Sequence, residues 1–199
     1  MASHRNPFSR RSRALRRAPA RAGLTLLELA VALTILTIAF LMYSSTAISA
    51  NRQRDASREN SIASDATREM LETLRSVPLA EVYGRYNHEG SDDPGVPGSA
   101  PGHRWVVASL NPIPGMPDGT IGEVQFPEME VAEGVWELRE DLVRPELGMP
   151  RDLNGDSIID SRDHSDDYVM LPVRVVLAWQ GRFGPRVQGM NTQLVDYRR

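Results

Sequence analysis

Gly23-Leu24-Thr25-Leu26-Leu27-Glu28 joins an arginine-rich leader to a long apolar stretch, and its reading decides the fold. Nearly every residue from 24 to 43 is apolar, Thr or Ala, about the twenty needed to cross the hydrocarbon core of a bilayer. The stretch is expected to span a membrane. One carboxylate, Glu28, stands near its start. An ionised side chain there is costly unless paired, so it is expected to have a partner and a function. Cleavage after Gly23 would leave an amine on Leu24, one helical turn away in the same or a neighbouring subunit, able to neutralise Glu28.

Arg21-Ala22-Gly23, followed by Leu24-Thr25-Leu26-Leu27-Glu28-Leu29-Ala30-Val31-Ala32-Leu33, resembles the cleavage and methylation segment of type IV prepilins and type II secretion pseudopilins. Gly before the cut, Thr second, Leu-Leu-Glu third to fifth and an apolar helix after the cut carry the resemblance. In a secretory signal peptide the cleavage site follows the apolar region instead, and no Ala-x-Ala-like site precedes the return of charge at Arg52. The family normally begins its mature chain with Phe or Met, so Leu24 is a mild departure. The resemblance implies that prepilin peptidase removes residues 1–23 and methylates Leu24, and that Glu28 serves assembly by meeting a neighbour's terminal amine. Its implied partners are other pilin or pseudopilin subunits, an inner-membrane assembly platform and membrane lipid. The implied fold is α+β and pilin-like, with the second half of a long N-terminal helix packed on a small antiparallel β-sheet. The implied location is a single-pass inner (cytoplasmic) membrane protein with its N-terminus cytoplasmic and its head periplasmic, and then a pilus or pseudopilus.

Charge agrees with two compartments. The net charge is −3, but residues 1–23 hold seven Arg and no acid, so the remainder carries −10. An Arg-rich flank before a first span is retained in the cytoplasm. A nucleic-acid reading of the same cluster fails on sign, because the remainder of the chain is acidic. The chain has no Cys and no Lys. Disulfides, thiolate metal sites, Cys nucleophiles and Schiff-base chemistry are therefore excluded.

No Gly or Pro occurs over residues 24–77, which allows one continuous helix of about 54 residues. The domain reading is a leader at 1–23, a transmembrane half at 24–51, an amphipathic half at 52–77 and a β-rich head at 78–199. In the amphipathic half Ile62, Ala66, Met70 and Leu74, widened by Ala63, Leu71 and Val77, form a stripe expected to pack on a sheet. Where several pilus subunits carry a Pro in this helix, Ser45 stands, a departure that leans toward a pseudopilin-like or minor subunit. Residues 84–102 are dense in Gly, Pro, Ser and Asp and read as a loop. Strands are expected at 105–109, 122–126, 135–140 and 173–179, the last turning at Gln180-Gly181-Arg182-Phe183-Gly184-Pro185 into a strand at 186–195.

The second informative stretch is Asp152-Leu153-Asn154-Gly155-Asp156-Ser157-Ile158-Ile159-Asp160-Ser161-Arg162-Asp163. Oxygen side chains stand at positions 1, 3, 5, 9 and 12 of a twelve-residue loop, and Ile158 offers a carbonyl at position 7. That spacing lets a hard cation collect its oxygens, so the metal residues are expected to be Asp152, Asn154, Asp156, Ile158, Asp160 and Asp163, with structural Ca2+. The loop is similar to EF-hand and dockerin calcium loops, with two departures: Ser157 where position 6 favours Gly, and Asp163 in place of Glu. The competing reading is an acidic solvated turn.

His4 falls in the leader, and His88, His103 and His164 are expected as scattered surface residues. Trp105, Trp136 and Trp179 are expected in the core. Motifs for phosphate or dinucleotide binding and nucleophile elbows are absent. The chain is therefore expected to be a structural subunit and not an enzyme. The alternative from another class is a membrane-anchored, calcium-dependent binding module that does not polymerise.

Overall fold

The structure, a computed structural model, describes residues 23, 25–116 and 119–195. Most of the expected leader, including His4, and Leu24 lie outside the described residues. The chain forms two compact units, Met1–Ser49 and Ala50–Arg199. Helix α1, Leu26–Ser76, contributes to both.

In the first unit α1 begins with a side-chain cap. Thr25 Oγ1 accepts the Glu28 N–H at 3.2 Å and the Thr25 carbonyl accepts the Leu29 N–H at 3.1 Å. Thr25 and Glu28 thus stand at the two positions of a capping box, and an acid in the first turn suits the helix dipole. Further along, Thr34 and Thr37 donate to the carbonyls of Ala30 and Leu33, each at 2.8 Å. Their hydroxyls are satisfied inside the helix, as an apolar solvent requires. Leu33, Ile35 and Phe40 are all more than half exposed. Among the described residues, α1 is the one helix long and apolar enough to cross a membrane.

In the second unit the buried face of α1 is Ala63, Thr67, Leu71 and Leu74, with Ile62, Ala66, Met70 and Val77 partly buried beside it. The stripe read from periodicity is displaced by one residue. Small Ala63 and Thr67 take the most enclosed positions, and Thr67 is tolerated there because its hydroxyl donates to the Ala63 carbonyl at 2.7 Å. A short helix α2, Leu79–Tyr86, follows Pro78 and buries Val82, Tyr83 and Tyr86. Its C-terminal end, residues 84–86, overlaps the start of the stretch read as a loop.

The main sheet is antiparallel with strand order β1-β2-β5-β6, where β1 is Arg104–Trp105, β2 Gly122–Gln125, β5 Met170–Gly181 and β6 Gly184–Val195. A separate two-stranded sheet pairs β3, Glu128–Ala132, with β4, Val135–Leu138. The α+β, pilin-like layout expected from the sequence is the one observed. Leu171, Val173, Val175, Leu177 and Trp179 of β5 form the centre of the core, alternating with partly exposed Arg174, Val176, Ala178 and Gln180. Strand β6 reaches α1 through polar ties: Gln188 donates to Ser64 at 2.9 Å, Arg186 to Asn60 at 3.2 Å, and Arg75 of α1 to Thr192 at 3.1 Å.

Strand β1 is two residues rather than five, and β4 ends at Leu138 rather than reaching Glu140. The carbonyl of Glu140 instead accepts the Arg151 N–H at 3.1 Å, carrying the chain into the acidic loop.

Candidate functional site

The acidic loop opens on a set of side-chain turns. Asp152 accepts the backbone N–H groups of Gly155 at 2.6 Å and Ser157 at 2.7 Å, one on each carboxylate oxygen. Asn154 accepts from the Asp156 amide at 3.0 Å and Asp156 from the Ile158 amide at 2.7 Å. Short polar side chains bonding the backbone two residues ahead make such turns. Ser157 has φ 69°, the left-handed conformation that glycine usually supplies at the sixth position of a calcium loop. Ser157 thus takes the conformation that glycine would supply at that position. Ile158, expected to offer its carbonyl, turns an exposed side chain to solvent.

The second half of the loop divides its two carboxylates. Asp160 accepts the Arg162 N–H at 2.8 Å and its Nε–H at 2.7 Å, and lies 3.2 Å from His164 Nε2. Arg162 also stands 3.8 Å from Asp156, so one guanidinium bridges the two halves. Asp163 turns to β4, where it accepts the Leu138 N–H at 3.0 Å, and it accepts the Ser165 N–H at 3.1 Å. Its carboxylate pins the loop to the sheet. The structure thus brings Asp152, Asn154 and Asp156 together, gives Asp160 to a second group, and sets Asp163 apart.

That second group contains two residues the sequence reading missed as ligands. Glu140 is fully buried and accepts the amides of Leu153 at 2.6 Å, Asn154 at 3.3 Å and Asp160 at 3.4 Å. His164 is 1% exposed, with Nδ1 at 2.9 Å from Asp167 and Nε2 at 3.7 Å from Glu140. One ligand atom from each of Glu140, Asp160 and His164 lies within 4.8 Å of the others. These three could hold a metal ion. The carboxylate oxygens suit a hard cation, while an imidazole nitrogen is a ligand that transition metals favour more than calcium does. Asp167 fixes the other ring nitrogen, as carboxylates do behind metal-bound histidines.

The electrostatics agree with close packing of opposite charge. Burial alone would lower the His164 pKa, but Asp167, Glu140 and Asp160 raise it above the ordinary imidazole value. Asp160 is held below the usual carboxylate range by the Arg162 amide and guanidinium. Burial would raise Asp167, yet His164 and Asn154 bring it below that range.

The expectation that the histidines are scattered surface residues is wrong for those described. His164 is buried, and His88 stacks between His103 and Trp136 with ring centroids 3.7 and 4.3 Å apart. His88 Nδ1 also lies 2.8 Å from the buried carboxylate of Glu128. A signal for His164 was present in the sequence, since it follows the loop directly among Asp160, Asp163, Asp166 and Asp167. Glu140 gave none, because its carboxylate makes its contacts across 13 and more residues.

At the head of α1, exposed Gly23 is followed by the Thr25 cap and by exposed Glu28. Residues 19–44 match the family model of the prokaryotic N-terminal methylation motif. The chain is prepilin-like. No curated protein and no solved structure matches it. The motif implies processing by a prepilin peptidase, and its family is a structural class rather than a catalytic one. With the apolar helix it agrees with a membrane-anchored protein. The match ends before the second unit begins, so the acidic loop of the prepilin-like chain rests on its own geometry.

Proposed function

We propose that the chain is a structural subunit, cleaved after Gly23 and methylated on Leu24, that packs helix to helix into a type IV pilus or type II secretion pseudopilus. The observation that carries this reading is the methylation motif over residues 19–44, with Gly23 before the cut and Glu28 at the fifth position after it. Glu28 is exposed and only its backbone N–H is held by the Thr25 cap, so its carboxylate is free to meet the terminal amine of a neighbouring subunit. In an apolar medium that pairing offsets a cost neither charge can bear alone.

The head of this subunit is tied together by its acidic loop around a structural calcium ion. Asp152, Asn154, Asp156 and the Ile158 carbonyl supply the front of the site, and Asp160 with Glu140 the back. Asp163 anchors the loop to β4 instead of joining the ligands. Support comes from the left-handed Ser157, which gives the loop the backbone course of a calcium loop. Calcium there would cross-link a strand end to the loop in a chain without disulfides.

Mass spectrometry of the membrane-extracted protein tests the assignment. The expected species begins at Leu24 and carries one added methyl group. An intact Met1 terminus, or cleavage near Ser49, would overturn it.

A further inference from the structure

The second unit has a cationic patch on an acidic body. Residues 61–199 hold thirteen Arg against twenty-three acids. Yet α1 enters the unit through Arg52, Arg54 and Arg58, and the β5–β6 turn brings Arg182 and Arg186 to the same turns of the helix. Two of the five are neutralised, Arg182 by Asp55 and Arg186 by Glu59 at 3.7 Å. Among the described residues no carboxylate pairs with Arg52, Arg54 or Arg58, and all three are exposed.

Phe183 stands beside two of these cations, Arg52 and Arg182. The phenylalanine is 51% exposed, with the guanidinium carbons of Arg52 and Arg182 at 5.3 and 5.9 Å from its ring centroid. Both lie at cation–π distance. The turn is held tightly against α1. Glu59 accepts the Arg182 N–H at 3.3 Å and the Trp179 indole N–H at 3.5 Å, and a Cβ on Gly181 would fall 2.7 Å from its carboxylate. An apolar ring is thus presented to solvent at a fixed place beside two guanidinium groups.

The order of the chain says what lies nearby. The apolar stretch ends at Tyr43, and Arg52 follows nine residues later on the same helix. We propose that Arg52, Arg54 and Arg58, with Phe183, bind the anionic phospholipid headgroups of the membrane that the apolar stretch enters. Arg forks match phosphate oxygens, basic clusters are drawn to an anionic surface, and aromatic rings favour the headgroup level. The acidic remainder of the unit is repelled by that surface, so the same charges that attract the patch also orient the head. The inference rests on the membrane-anchor reading. It goes beyond assembly because it assigns the head a lipid-binding face of its own.

Photo-crosslinking of the full chain tests it. Phe183→p-benzoylphenylalanine protein is reconstituted into vesicles of phosphatidylcholine alone, or of phosphatidylcholine with phosphatidylglycerol, and illuminated. A phospholipid adduct severalfold more abundant with phosphatidylglycerol is expected, reduced to the phosphatidylcholine level by Arg52→Gln, Arg54→Gln and Arg58→Gln together. Equal yields in the two vesicles, or adducts only to a second copy of the chain, would overturn the proposal. The same label in a Phe40→p-benzoylphenylalanine chain separates the two readings. Loss of lipid adduct at both positions removes the anchor, whereas loss at position 183 alone removes only the headgroup contact.

Discussion

The carboxylate of Glu140, just past the end of β4, accepts the backbone N–H of Leu153 at 2.6 Å, and both residues are fully buried. This bond joins the two-stranded sheet to the acidic loop and satisfies an amide that water cannot reach. Glu140→Ala should leave the Leu153 and Asn154 amides without partners and strand His164 beside a void. Losing a charged, buried acceptor costs about 3 kcal/mol or more. Denaturant unfolding of the full chain in detergent should show that loss. Glu140→Gln, which keeps an acceptor oxygen, should lose less, and equal losses for the two variants would count against the hydrogen-bonding role.

Calcium should act on the same element. Asp152, Asp156, Asp160 and Asp163 set four like charges in one loop, and buried Glu140 adds a fifth behind it. A ligand that binds only the folded form stabilises by RT ln(1 + [L]/Kd), about 2.7 kcal/mol at a hundredfold excess over Kd. The full chain should therefore melt several degrees lower in chelator than in millimolar calcium, and Asp152→Ala with Asp156→Ala should abolish the difference. Magnesium should substitute poorly, because it demands a tighter octahedral shell. Equal melting temperatures with calcium and with chelator would return the loop to an ordinary acidic turn.

What the sequence disclosed depended on the range of the forces involved. Helix α1 was legible because the absence of Gly and Pro is a local property, and β5 because Val173, Val175 and Leu177 alternate. The β3 strand was hidden: Glu128 and Glu130 look like surface residues, yet Glu128 is buried because the Tyr83 hydroxyl donates to it at 3.2 Å and His88 pairs with it. Helix α2 was hidden by Gly84, whose missing side chain admits the Asp92 carbonyl and the ring of Pro94. The loop's Asx turns are local and follow from residue spacing. The grouping of Glu140 with Asp160 and His164 is tertiary, and no pattern within the loop encodes it.

Strand β2 offers a steric test. Trp105 lies flat over Gly122, its cross-strand partner, and a Cβ there would fall 2.2 Å from the indole. Gly122→Ala must therefore push the ring away. Overpacking of this kind costs about 1–3 kcal/mol. The unfolding midpoint should drop accordingly, with blue-shifted Trp emission lost in part. A Gly122→Ala chain as stable as wild type would mean that Trp105 moves without cost.

His103 gives the head a defined acid sensitivity. Burial, then neighbouring His88 and Arg104, hold its pKa below the ordinary imidazole value. A depressed pKa means that the folded state binds its proton later than the unfolded chain does. The stabilisation is complete above the unfolded value of about 6.5 and is lost as pH falls through it toward the folded value. Unfolding midpoints measured from pH 7.5 to 5.5, a range of about two units around that value, should decline less steeply for His103→Gln than for wild type. Identical slopes would place the acid sensitivity elsewhere in the head.

Glu28 separates processing from assembly. Its amide is capped by Thr25 and its side chain is exposed, so truncating that side chain to a methyl group removes charge without removing the cap. The Thr25 hydroxyl continues to hold the helix start, and loss of one first-turn acid costs the helix only about 0.3–1 kcal/mol. Cleavage after Gly23 should therefore continue in Glu28→Ala protein. Entry into a filament should not, because the terminal amine of the incoming subunit then meets an apolar helix with no counter-charge. Glu28→Gln should fail in the same way, since an amide cannot neutralise an ammonium group. Cross-linking in cells, with the processed and unprocessed chains resolved by mass, measures both steps at once. Wild-type incorporation of either variant would remove Glu28 from assembly and favour an anchored head that does not polymerise.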